Sequence, residues 1–120
     1  MYKRQGWDKH LAEIQQISTQ SNKDVIFTEL GYKSTPDAAR YPWAWEDFMG
    51  NQLTRISNKT QAYCYKAFFE KVWDQDWFAG VMIWQWQSHD DGASANHNFT
   101  LNGKPAFNVM AEGFNLYSEN

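Results

Sequence analysis

One short apolar run constrains this chain more than any other stretch. It is Val25-Ile26-Phe27-Thr28-Glu29-Leu30, followed at once by Gly31-Tyr32. Polar segments bound it on both sides, and its length suits a buried β-strand rather than a helix. Side chains alternate along a strand, so the pattern places Val25, Phe27 and Glu29 on one face and Ile26, Thr28 and Leu30 on the other. A carboxylate on an otherwise apolar face is costly unless something pairs with it or uses it. Gly31 implies a sharp turn just past the acid. In parallel α/β folds ligands gather at the carboxyl ends of strands, which makes Glu29 the leading candidate for chemistry. The alternative is a strand-end Glu salt-bridged to a neighbouring helix.

The 120 residues suffice for one domain of modest size. Eleven basic and 14 acidic residues give a net charge of −3 with no basic run, which argues against a nucleic-acid partner. Cys64 is the lone cysteine, so neither an internal disulfide nor a cysteine metal cluster can form. His10, His89 and His97 do not make a zinc-ligand spacing. No metal and no cofactor is expected. No apolar run approaches the ~20 residues of a membrane span, and Met1-Tyr-Lys-Arg-Gln-Gly lacks the apolar core of a signal peptide. If the chain is a piece of a longer protein, this leaves the parent's location open.

Aromatic residues are the outlier, at 18% of the chain with seven Trp. Trp is rarely fully buried, and flat aromatic faces suit the apolar faces of sugar rings. Excess Trp beside carboxylates therefore points mildly to carbohydrate. For most of the seven, large anchors between packed helices remain the simpler reading.

Along the chain, Trp7, Leu11, Ile14 and Ile17 repeat at helical spacing and predict a helix over 6–20. The strand over 25–30 follows a polar connection. A long segment, 31–50, carries Tyr32, Tyr41, Trp43 and Trp45, and loops of that length are often functional. Its aromatics either floor a binding cleft or fold back as a small core. A second helix is predicted over 58–74, with Asn58 as its cap. A second strand is predicted over 81–87, with Val81, Ile83, Gln85 and Gln87 on one face and Met82, Trp84 and Trp86 on the other. A polar loop, 88–103, holds His89, Asp90, Asp91, His97 and Asn98. Pro105 suits the first turn of a last helix over 105–117. Asn58-Lys-Thr60 and Asn98-Phe-Thr100 fit the N-glycosylation pattern, which arises often by chance.

The resulting α-β-α-β-α order joins two strands by a helical crossover, so they should be parallel. A parallel sheet wants both faces covered and more than two strands. Leu53-Thr-Arg-Ile56 offers at most one short addition. The pattern is that of a slice of a larger (β/α) array, with strand edges that need partners.

Three runs in this order resemble the C-terminal end of clan A glycoside hydrolases: Phe27-Thr28-Glu29-Leu30-Gly31-Tyr32, Gly80-Val81-Met82-Ile83-Trp84-Gln85-Trp86 and Gly103-Lys104-Pro105-Ala106. The nearest resemblance is to glycoside hydrolase family 113, the β-mannanase-like (β/α)8 barrels. It covers Trp7 to about Tyr117. It implies an α/β partial TIM barrel in which residues 1–120 are a single segment, running from helix six to helix eight of a larger catalytic domain.

The resemblance also implies a retaining glycosidase with Glu29 as nucleophile at the end of strand seven. Retaining sites place two carboxyl groups about 5–5.5 Å apart, one attacking the anomeric carbon and one serving as acid/base. Trp84 or Trp86 would form a stacking wall beside an oligosaccharide or polysaccharide. Tyr32 would bond the nucleophile or line the pocket, and Trp43, Trp45, His89 and Asp90 are further candidates for sugar contact. In such barrels the acid/base is a Glu, usually after Asn, at the end of strand four. This chain contains no Asn-Glu pair. None of Glu46, Asp47, Asp90 and Asp91 sits in the right context.

The chain thus carries half a catalytic pair, and alone it is expected to be inactive. Two other readings stand beside this one. The chain is a non-catalytic carbohydrate-binding or structural module derived from such a barrel, or a barrel piece that assembles with itself or with a separate N-terminal portion.

Overall fold

The computed structural model describes residues 2–44, 55–89 and 95–118. Helix α1 spans Tyr2–Ser21, strand β1 Val25–Leu30, helix α2 Asn58–Val72, strand β2 Phe78–Ile83 and helix α3 Pro105–Ser118. The order is the expected α-β-α-β-α. β1 and β2 pair in parallel, with Val25 opposite Phe78, Phe27 opposite Val81 and Leu30 opposite Ile83.

Phe68 on α2 is fully buried and lies at the centre of the core. The rings of Trp7, Phe27, Phe69, Trp73 and Phe78 all stand 5.6–6.4 Å from it. Most of the aromatic excess is therefore structural, since these edge-to-face arrangements suit the ring quadrupoles. α2 packs against both α1 and α3. On α3, a Cβ at Gly113 would run into the Phe69 ring, so the two helices meet closely there.

The strand alternation expected for β1 fails at its end. Val25 and Phe27 pack on the core and Ile26 is exposed, but Thr28 and Glu29 are both exposed and Leu30 returns to the core. The pairing register shifts between Phe27 and Leu30, and that irregularity changes which face follows. Glu29 therefore does not share the helix-facing side of Val25 and Phe27.

β2 also differs from expectation. It begins at Phe78 and ends at Ile83, so Trp84 to Gln87 lie beyond the paired segment. Exposure nevertheless alternates there: Met82, Trp84 and Trp86 are exposed, while Ile83, Gln85 and Gln87 are half-buried. The cap of α2 is Ser57, whose Oγ accepts the Thr60 amide at 3.3 Å; Asn58 is the first helical residue instead. Arg55 and Ile56 form no strand, and Leu53 and Thr54 lie outside the described residues.

One face of the two-stranded sheet has no cover among the described residues. Ile26 and Met82 are 55% and 61% exposed there. In a closed barrel this face is the interior, filled by side chains from the remaining strands. No helix among the described residues is long and apolar enough to cross a membrane.

Candidate active site

Glu29 sits one residue before the end of β1, exposed, beside the equally exposed Thr28. The two strand ends are fastened just past it. The Trp84 amide donates to the Leu30 carbonyl at 2.8 Å. Gly31 is needed for this approach, since a Cβ there would run into the Trp84 carbonyl oxygen and press on Trp84 Cβ and Phe99. Its role is clearance between backbones, and Gly31 is not among the positive-φ glycines. Tyr65 reaches the same Trp84 carbonyl from below, with its hydroxyl at 3.5 Å.

Trp84 is 46% exposed and Trp86 57% exposed. Trp86 is steadied by the Phe107 ring at 5.3 Å. The next residue is clamped twice by Asn102, whose Oδ1 accepts the Gln87 amide at 3.1 Å and whose Nδ2 donates to the Gln87 carbonyl at 2.8 Å. A strand-end carboxylate and two exposed indoles thus lie on adjacent strand ends with their backbones fixed. His89 is exposed. Asp90 and Asp91 lie outside the described residues, as do Trp45, Glu46 and Asp47. Among the described residues no three His, Cys, Asp or Glu side chains are grouped to hold a metal.

Two buried polar side chains tie the segment after β1 to the segment after β2. Gln61 Nε2 donates to the carbonyls of Tyr32, Phe99 and Thr100 at 2.9, 3.3 and 3.2 Å. Lys104 Nζ donates to Asn96 Oδ1 at 2.7 Å, to Ser34 Oγ and the Asn98 carbonyl at 3.1 Å, and to Thr100 Oγ1 at 3.3 Å. Gly103, at φ 64°, supplies the left-handed residue that brings Lys104 into this position at the start of α3. The sequence showed the Gly-Lys-Pro-Ala run but not its use. Gln61 sat in an apolar helical stripe, where only the surrounding periodicity hinted that it is buried.

Tyr32 and Trp43 are placed elsewhere. The Tyr32 ring stands edge-on to Tyr65 at 5.2 Å, packed with the core. Burial pushes both phenols well above the ordinary tyrosine range; for each, lost hydration of the phenolate is the leading cause. Trp43 is 72% exposed and Tyr41 meets it edge-on at 6.1 Å. Trp43, Tyr32, Trp7, His10 and Arg40 line a separate cleft, which none of Glu29, Trp84 and Trp86 reaches.

The sequence profile described as Glycoside Hydrolase Family 113 matches residues 1–104. Two solved structures of a GH113 β-1,4-mannanase, one of them a complex, are similar at TM-score 0.78 with 30% and 31% identity; each alignment covers 91% of this chain and 35% of the mannanase. The GH113 β-mannanase AaManA from Alicyclobacillus acidocaldarius, in complex with ManMIm, is similar at TM-score 0.79 and 25% identity, over 95% of this chain and 36% of that one. This chain thus spans roughly a third of the length of these mannanases. The curated proteins contain no match.

Proposed function

Because this chain belongs to glycoside hydrolase family 113, we propose that it supplies the nucleophile half of a retaining site that cleaves β-linked mannose polymers. The carrying observation is the exposed Glu29 carboxylate beside the fastened end of the tryptophan-bearing strand. A Glu29 oxygen attacks the anomeric carbon as the bond from that carbon to the leaving oxygen breaks. An acid from outside these 120 residues protonates the leaving oxygen. The resulting glycosyl ester is then opened by water, which gives its proton to the same outside group, and Glu29 is released as a carboxylate. Trp84 and Trp86, both exposed, offer aromatic faces to the sugar. The β-mannanase names of the similar structures support the choice of polymer.

The site is completed by the rest of a (β/α)8 barrel packed on the uncovered sheet face. Ile26 and Met82 favour this arrangement, since exposed apolar side chains on an open parallel sheet gain from burial. Grafting residues 1–118 in place of the matching third of a GH113 β-mannanase tests the reading. The graft should hydrolyse mannan, Glu29→Gln should lower turnover by roughly 10³-fold or more, and the isolated chain should show none. A second reading, a sugar-binding module without catalysis, draws on the exposure of Trp84 and Trp86. It requires a graft whose residual activity ignores Glu29→Gln.

A further inference from the structure

A cleft of about 340 Å³ opens between the first turns of α1, the middle of α2 and the segment after β1. Trp7 and His10 come from α1, Cys64 from α2, and Tyr32, Arg40 and Trp43 from the connecting segment. We propose that this cleft is a second carbohydrate site, taking one or two neutral sugar rings of the polymer. The idea rests on the function proposed above, and it concerns a surface that Glu29, Trp84 and Trp86 do not line.

Three features support it. The volume falls at the lower end of small-ligand sites, and the lining mixes aromatic faces with a few hydrogen-bonding groups, as such sites do. Trp7 and Tyr32 provide inner aromatic surface, and Trp43 projects at the rim. Arg40 and His10 offer nitrogen donors for hydroxyls. Among the described residues the lining carries no carboxylate, and its polar groups are hydrogen-bond donors.

The third feature is the way the rim is built. An indole 72% exposed to water gains little from burial, yet its surroundings are firmly held. Lys33, itself buried, donates from Nζ to the carbonyl of Ala44, the next residue, at 2.6 Å. The Ala44 amide returns to the Tyr41 carbonyl at 3.0 Å. The Arg40 guanidinium lies 5.0 Å from the Tyr41 ring, and that ring meets Trp43 edge-on. Burial depresses the Lys33 pKa, a consequence of committing an ammonium to this brace. Holding an exposed aromatic in place lowers the ordering cost of binding, which is how a weak sugar site gains affinity.

The test is a two-dimensional ¹H–¹⁵N titration of the 120-residue chain with β-1,4-mannotriose. Saturable shifts are expected at the Trp7 and Trp43 indole N–H groups and the Gly6 amide. Trp43→Ala should weaken that binding at least tenfold, and Arg40→Ala several-fold. Shifts confined to Trp84 and Trp86 would overturn this proposal while favouring the catalytic reading. Absence of shifts at Trp7 and Trp43, or shifts at Trp7 and Gly6 that survive both substitutions, would also overturn it. In the grafted barrel the second measurement is retention on insoluble mannan, which Trp43→Ala and Arg40→Ala should each reduce; unchanged retention counts against the site. Glu29-dependent turnover in that graft is read separately, so failure of one proposal is not mistaken for failure of the other.

Discussion

Gly31 and Trp84 are in backbone contact: a Cβ on the glycine would strike the tryptophan carbonyl oxygen. The contact lies two residues past Glu29 and directly above the Trp84 amide bond to the Leu30 carbonyl. It fixes how closely the strand end with the carboxylate can approach the strand end with the indoles.

Gly31→Ala should therefore destabilise the chain by about 1–3 kcal/mol, the usual cost of forcing extra volume into a packed site. The obstructing atom is backbone, so it cannot swing away as a side chain would. Urea denaturation of the two proteins gives the difference. In the grafted barrel the same change should lower turnover even where folding is retained.

Lys104→Met should loosen the 96–100 segment, which Ser34 still holds through its amide and hydroxyl bonds to the Asn98 and Asn96 carbonyls. The substitution removes a donor from Asn96, Asn98, Thr100 and Ser34 together. Acceptors left buried without a donor cost about 1–3 kcal/mol each where water cannot reach them. Hydrogen exchange should quicken first at the Asn98 and Thr100 amides. Exchange unchanged there would show that Gln61 and Ser34 hold the segment without the lysine.

These two ties also show what the sequence could and could not reveal. The bounds of β1 were legible because six residues of apolar and β-branched character end sharply in polar and glycine residues. The start of α3 was legible from Pro105. The end of β2 was not, because Trp84-Gln85-Trp86 keeps a strand-like alternation after pairing has stopped at Ile83. Gly80 meanwhile disguised the true start at Phe78 as a turn. The register shift that turns Glu29 outward depends on the partner strand, and no local pattern carries it. Lys104 and Gln61 act on residues 29 to 70 positions away in several of their bonds, beyond any periodicity. The partial-barrel architecture and the family 113 resemblance both held, because the three runs that carry them also form the adjoining strand ends and the start of α3.

Phe68→Ala should cost about 3–5 kcal/mol, the range for removing a large buried aromatic. Ile26→Ala should change the isolated chain by less than about 0.5 kcal/mol, because Ile26 is mostly in water there. In the grafted barrel Ile26→Ala should become clearly destabilising. Equal effects in both settings would show that the sheet face is not covered by the added strands.

Tyr32 and Tyr65 should resist ionisation. Their pKa values are raised by burial, so the folded state holds protons that the unfolded chain gives up near pH 10. The unfolded state then binds fewer protons, and stability contributed by these groups declines as pH rises above about 10. An absorbance titration at 295 nm should show two of the six tyrosines ionising late and together with unfolding. Six groups titrating together near the ordinary value, with the fold intact, would contradict the packing described for Tyr32 and Tyr65.

In the proposed reaction Glu29 forms the covalent bond to sugar. The most direct measurement is trapping with 2-deoxy-2-fluoro-β-mannosyl fluoride in the grafted barrel, followed by peptide mass mapping. One fluoromannosyl adduct is expected, on the peptide containing Glu29, and none after Glu29→Gln. An adduct on any other carboxylate, or one that persists in Glu29→Gln, would contradict it.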